Sequence, residues 1–182
     1  MSDPSPAHRR HHHRRAAQRA VPTAVITVSD TRTLEDDTGG ALVVELLEGG
    51  GHPITSREIV PDDVDRIEAA TSRAVEREDT RAVVLTGGTG VSPRDVTPDA
   101  VEPLLERELP GFGELFRWLS YEEIGSAALL SRALAGVSEG VLVFVVPGSR
   151  GGVRLALEKL ILPELGHLAA EAVKGRDPSA DG

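Results

Sequence analysis

The chain has 182 residues, which is room for one globular domain, and its 40% hydrophobic and 27% charged residues suit a packed core surrounded by water. It has no cysteine, which excludes disulfide frameworks, thiolate metal sites, iron–sulfur clusters and cysteine nucleophiles. The formal net charge is -9; residues 1–20 carry +4, leaving -13 for residues 21–182, a charge that repels a nucleic-acid backbone and excludes nucleic acid as a partner.

Residues 1–20 are polar, rich in arginine and without hydrophobic period, so a disordered basic tail is expected there. No apolar stretch follows Arg14-Arg15, so the start does not read as a secretory signal, and cytoplasm is the default location. The His11-His12-His13 cluster reads as part of a solvated tail. A single domain is expected over residues 21–174, and a second tail over 175–182.

Ala24 to Asp30 is an apolar run ending in a polar turn, as in a buried strand. Val43, Val44 and Leu47 then recur at helical spacing until Gly49-Gly50-Gly51 stops them. Ile54 to Val60 reads as a second strand. Val64, Ile67, Ala74 and Val75 form one face of a helix whose other face is charged. Arg81 to Thr86 is a third strand that runs into Gly87-Gly88-Thr89-Gly90. Thr97-Pro98-Asp99 marks a helix start, with Thr97 as cap and proline in the first turn.

Pro110 to Ile124 reads as a helix, and its aromatics Phe112, Phe116, Trp118 and Tyr121 as a core stripe. Val141 to Val146 is the last clear strand. It is also the longest unbroken aliphatic and aromatic run, far short of the roughly 20 residues of a membrane span. Val153, Ala156, Leu157, Leu160 and Ile161 make a final helical face. Strands alternating with helices predict a three-layer α/β/α domain around a mostly parallel sheet.

Ligands of open α/β sheets bind beyond the carboxyl ends of the strands. Three such ends here carry small polar residues and glycine: Ser29-Asp30, Thr86-Gly87-Gly88-Thr89-Gly90 and Pro147-Gly148-Ser149. Glycines let backbone N–H groups approach an anion, and the hydroxyls add donors, so the three together predict a phosphate site. No Gly-Lys-Ser/Thr and no Gly-x-Gly-x-x-Gly occurs, so the turn is neither a P-loop nor a dinucleotide fingerprint. Without a lysine at the turn, a metal ion is expected to supply positive charge. Asp30, Asp37, Asp62 and Asp95 are the candidate oxygen ligands, of a kind that suits Mg²⁺ bridging phosphates. The competing reading of Asp95 is a cap for the helix that starts near Thr97. Only two lysines stand among 29 acidic residues, which fits either a salt-adapted surface or a GC-rich codon preference.

Thr86-Gly-Gly-Thr-Gly90, Arg94-Asp95-Val-Thr-Pro-Asp-Ala100 and Pro110-Gly-Phe-Gly-Glu114 together resemble the molybdopterin adenylyltransferase family, the MoaB/Mog-type proteins of molybdenum cofactor synthesis. Phe116-Arg117, Ser120-Tyr-Glu-Glu-Ile-Gly125, Ser131-Arg-Ala133 and Pro147-Gly-Ser149 extend the resemblance across about residues 21–170, with the MoaB branch closest over Phe112 to Gly136. The resemblance implies an enzyme that uses ATP and Mg²⁺ to adenylate molybdopterin, releasing pyrophosphate, usually as a homotrimer. It implies Asp62 and Asp95 as the acidic pair of catalysis and metal binding. Thr86, Gly87, Gly88, Thr89 and Gly90 would hold phosphates, while Ser29, Asp30, Asp37, Ser131, Pro147, Gly148 and Ser149 would line the nucleotide and molybdopterin pocket. Where the family commonly has Asp-x-Ser-Gly, this chain has Asp37-Thr38-Gly39-Gly40, so one hydroxyl donor is missing. Three other readings fit the same fold: a molybdopterin-binding scaffold without turnover, a nucleotide pyrophosphatase, and the molybdenum-insertion enzyme, whose related domain is embedded in a much longer chain.

Overall fold

The computed structural model describes residues 19–174, so all but two residues of the expected basic tail, and the whole expected tail 175–182, lie outside the described residues. Six strands form one sheet: β1 (Thr23–Val28), β2 (Ile54–Val60), β3 (Ala82–Thr86), β4 (Arg107–Glu108), β5 (Leu134–Ser138) and β6 (Val141–Val146). Their order is β2-β1-β3-β6-β5-β4. The first four in that order are parallel, and β5 runs antiparallel to both of its neighbours.

Alternation along each central strand builds the layers, because successive side chains point to opposite faces. Val25, Val84 and Phe144 face one way and pack against α1 (Thr38–Gly49), α4 (Pro110–Ile124), α5 (Arg150–Ala156) and α6 (Leu162–Ala172). Ile26, Leu85 and Val145 face the other way, onto α2 (Val64–Val75) and α3 (Thr97–Val101). Both faces are apolar, which is why the strands read as unbroken hydrophobic runs. The three-layer α/β/α fold expected from the sequence is the one observed.

Two strands escape local reading. β4 is two exposed charged residues with no hydrophobic signal. β5 has a glycine at its centre, and a Cβ on Gly136 would stand 2.6 Å from the Arg107 carbonyl oxygen, so the close approach of β4 requires glycine there. Two helical expectations are also corrected. Trp118 and Tyr121 are 59% and 61% exposed, so only Phe116, with the partly buried Phe112, belongs to the core stripe. Thr97 does not cap α3: Val96 holds that position without a side-chain bond, and the Thr97 hydroxyl donates instead to the Gly87 carbonyl at 2.9 Å.

Candidate active site

The chain passes from β1 to β2 on one side, then crosses β1 to reach β3 on the other. This reversal opens a crevice beyond the carboxyl ends of β1 and β3, where ligands of open α/β sheets bind. The register places Val28 beside Val60, Thr27 beside Thr86, and Thr86 beside Val146, so four strand ends finish together on one rim. The crevice has a volume of about 180 Å³, and its lining includes Ser29, Asp37, Thr38, Thr86, Gly87 and Gly148.

Gly87 (φ +109°) and Gly88 (φ +61°) form the turn that closes it. A Cβ on Gly87 would lie 2.3 Å from the Val28 carbonyl oxygen, and one on Gly88 would lie 2.3 Å from the Thr97 hydroxyl. Only glycine fits at either position. The turn is tied on both sides, by Gly87 N–H to the Val146 carbonyl at 3.1 Å and Thr97 N–H to the Gly88 carbonyl at 3.1 Å. Thr86 donates its hydroxyl to the Pro147 carbonyl at 3.0 Å, joining the third strand end to the first two.

Asp30 and Asp62 clasp each other across the β1 and β2 ends: Asp30 N–H donates to Asp62 at 3.2 Å, and Asp62 N–H donates to Asp30 at 3.1 Å. Arg94 forms an ion pair with Asp30 and, with the Asp62 N–H, holds the Asp30 carboxyl below the usual carboxylate range. Burial pushes the Asp62 carboxyl up, and the charges of Asp30 and Asp95 push the same way. Asp62 reaches the turn with Oδ1 3.0 Å from where a Gly88 Cβ would be, and Asp95 does so with Oδ2 2.7 Å from that point on Gly90. Both aspartates therefore approach the Gly87–Gly90 turn, Asp62 at Gly88 and Asp95 at Gly90. Asp95 does not cap α3, because its carboxylate accepts from Ser92 N–H at 2.9 Å and closes its own turn.

Asp37 lines the crevice, yet both of its oxygens are engaged. Oδ1 accepts from Gly40 N–H at 2.8 Å as the cap of α1; Oδ2 accepts from the Thr27 hydroxyl at 2.7 Å and from Arg57 at 3.0 Å. Burial alone would raise its pKa, but these three donors outweigh burial and lower it. The Ser29 hydroxyl accepts from Thr31 and Arg32 N–H groups, at 3.3 and 3.2 Å, and shapes the first loop. Gly39 sits against the Gly148 carbonyl oxygen, 3.0 Å from where its Cβ would be, so the Gly148 backbone stands where a side chain at this position would have to go.

A second pocket of about 280 Å³ adjoins the turn, lined by Thr89, Gly90, Ser131, Pro147 and Ser149 together with the apolar Phe116, Ile124, Leu130 and Leu155. Ser149 caps α5 by accepting from Gly152 N–H at 3.1 Å. Of the expected residues, Ser29, Asp37, Thr86, Gly87 and Gly148 line the first crevice, and Thr89, Gly90, Ser131, Pro147 and Ser149 the second pocket. Asp30 and Asp62 line neither, and Asp95 faces a separate shallow hollow with Ser92, Asp99 and Arg132. Arg32 lines the first crevice and brings the positive charge that no lysine supplies, while Arg94 stands at its rim paired with Asp30. Sequence reasoning missed both, because single arginines among so many carry no local signal; only the adjacency of Arg94 to Asp95 pointed toward one of them. Among the described residues no group of three or more His, Asp and Glu forms a ready metal cage, and no helix is long and apolar enough to cross a membrane.

A family model described as a probable molybdopterin binding domain matches residues 24–167. Molybdenum cofactor biosynthesis protein B of Halalkalibacterium halodurans is 48% identical over 159 residues, covering 87% of this chain and 94% of that protein. A solved structure of a molybdenum cofactor biosynthesis protein B superposes with a TM-score of 0.83 at 51% identity, over 85% of this chain and 97% of the other. The tungsten cofactor synthesizing protein MoaB from Pyrococcus furiosus superposes with a TM-score of 0.77 at 39% identity, over 85% and 98%.

Proposed function

This chain belongs to the molybdopterin-binding family of molybdenum cofactor biosynthesis proteins, and on that premise we propose that it adenylates molybdopterin, using ATP and releasing pyrophosphate. The observation that carries the proposal is the approach of both Asp62 and Asp95 to the Gly87–Gly90 turn. A phosphate oxygen of molybdopterin attacks the α-phosphorus of ATP. A P–O bond forms there, the bond to the β-phosphate oxygen breaks, and the electron pair leaves with pyrophosphate. The nucleophile is already ionised at neutral pH, so the reaction needs no strong general base. The remaining work is alignment and compensation of negative charge.

The chain's own groups suit that work. Arg32 lines the crevice in which the phosphates would lie, and the adjoining apolar pocket would take a ring system of the substrates. Asp62 and Asp95 are the residues that would hold Mg²⁺. Mg²⁺ commonly completes its shell with substrate phosphates and water, and a carboxyl pushed up by burial and by two neighbouring charges is one that a cation relieves. Bound there, the ion would supply neutralisation of the triphosphate.

Assembly as a homotrimer is part of the same reading. Leu115, Trp118 and Tyr121, at i, i+3 and i+6, expose one apolar face of α4, and a further copy of the chain would cover it. Light scattering on the purified chain tests the assembly.

The activity is tested by Mg²⁺-dependent pyrophosphate release from ATP and molybdopterin. Asp95→Asn should leave the fold intact and molybdopterin binding measurable while lowering turnover at least about 10²-fold. Near-normal turnover in that variant removes Asp95 from the mechanism. Binding of molybdopterin without pyrophosphate release would favour the scaffold reading, and hydrolysis of ADP-ribose the pyrophosphatase reading.

A further inference from the structure

Arg132 lies between the 3₁₀ segment Gly125–Leu130 and β5, about forty residues along the chain from the glycine turn, yet it binds the segment that carries Asp95 on both sides. Its backbone N–H donates to the Thr89 carbonyl at 2.9 Å. Its Nε donates to the Gly90 carbonyl at 2.8 Å, one terminal nitrogen donates to the Asp95 carbonyl, and the other binds both carboxylate oxygens of Asp99 at 3.0 and 2.9 Å. The guanidinium thus spans the start of the segment, its end, and the first turn of α3.

Apart from the exposed ion pair between Arg94 and Asp30, little else holds that segment. Val91, Ser92, Pro93 and Arg94 are exposed, and none of residues 91–95 is buried in either apolar core. The Ser92 N–H bond to Asp95 is internal to the segment and does not fix it to the body. A loop with few buried contacts opens at low free energy unless polar bonds restrain it.

We propose that Arg132 is the positioning residue of the site: its guanidinium fixes the Gly90–Asp95 segment against the turn and so sets where the Asp95 carboxylate stands. The acceptors are two carbonyls and a carboxylate in three directions, which a planar fork of directed donors satisfies together. A lysine ammonium keeps the charge and cannot span the three. The catalytic consequence rests on the adenylation reading; the anchoring does not.

The test compares the full-length protein with Arg132→Lys and Arg132→Gln by two measurements, amide hydrogen exchange and steady-state pyrophosphate release. Exchange at residues 90–96 should accelerate about tenfold or more in both variants, with the amides of β1, β3 and β6 unchanged. The kcat should fall about 10²-fold, the cost of a displacement near 1 Å, with KM for molybdopterin within about twofold of the parent. Millimolar methylguanidinium should restore part of the lost kcat in Arg132→Gln, which a loss of global stability would not allow. If Arg132→Gln fails to fold, Arg132→Lys carries both measurements.

Unchanged exchange at 90–96 overturns the proposal, as does full activity in Arg132→Lys, or loosened exchange with unchanged kcat. If the parent protein releases no pyrophosphate, the adenylation reading fails, and the exchange measurement decides the anchoring by itself.

Discussion

Asp37 offers the sharpest test of how the crevice is held together. Replacing it with alanine removes the cap of α1, the bond from the Thr27 hydroxyl and the ion pair with Arg57 in one step. The cap is worth about 1 kcal/mol. The Thr27 bond adds about 1 kcal/mol, because the orphaned hydroxyl is buried. The Arg57 side chain is 25% exposed, so its pair is partly screened and contributes no more than about 1 kcal/mol. Arg57 Nε already lacks a partner, so losing Asp37 leaves the guanidinium poorly satisfied. The expected loss is about 3 kcal/mol, or about 6–12 °C in Tm for a domain of this size. Urea unfolding followed by far-ultraviolet circular dichroism, at fixed protein concentration, measures it. Asp37→Asn keeps an equally good cap and should lose only about 1 kcal/mol. A loss below about 1 kcal/mol in Asp37→Ala would refute the reasoning, since three simultaneous bonds would then be contributing nothing. The stability that Asp37 confers is present above its unfolded pKa and disappears as the pH falls through its lowered folded value.

Other perturbations should separate fold from chemistry. Gly87→Ala forces a methyl to 2.3 Å from a backbone oxygen at positive φ; it should cost about 2–4 kcal/mol in unfolding free energy and lower pyrophosphate release about 10²-fold or more. Asp62→Asn should raise Tm while it abolishes turnover. Its carboxyl has a raised pKa, so keeping it ionised costs folding stability at neutral pH, and calorimetry reads the gain. His52 accepts from Val21 N–H at 3.1 Å, and burial lowers its pKa. Its contribution is full above the ordinary imidazole value of about 6.5 and is lost as the pH falls toward its folded value. The urea midpoint should therefore drop between neutral and mildly acidic pH, and His52→Gln should flatten that drop.

The local elements were legible because their signals are local. A strand buried on both faces must be apolar throughout, so β1, β3 and β6 stand out as runs, and the period of α2 separates its charged side from Ile67, Ala74 and Val75. The glycine turn was legible for the same reason, since positive φ selects glycine wherever it occurs. The opposite holds for α4, whose spacing marks a helix but does not say which apolar residues meet the core. Phe116 does, and Trp118 does not.

Tertiary structure decided the partners. Asp30 and Asp62 are 32 residues apart and become reciprocal only because β1 and β2 pair in register at their ends. Asp37 reads like any acidic pocket residue until Thr27, Gly40 and Arg57 occupy it. Thr97 reads as a cap until the Gly87 carbonyl claims its hydroxyl. Residue type and spacing record what each side chain can offer, whereas the acceptor it meets depends on where distant backbone is brought. Hydrogen bonds are short and directional, so that choice exists only once the sheet has closed.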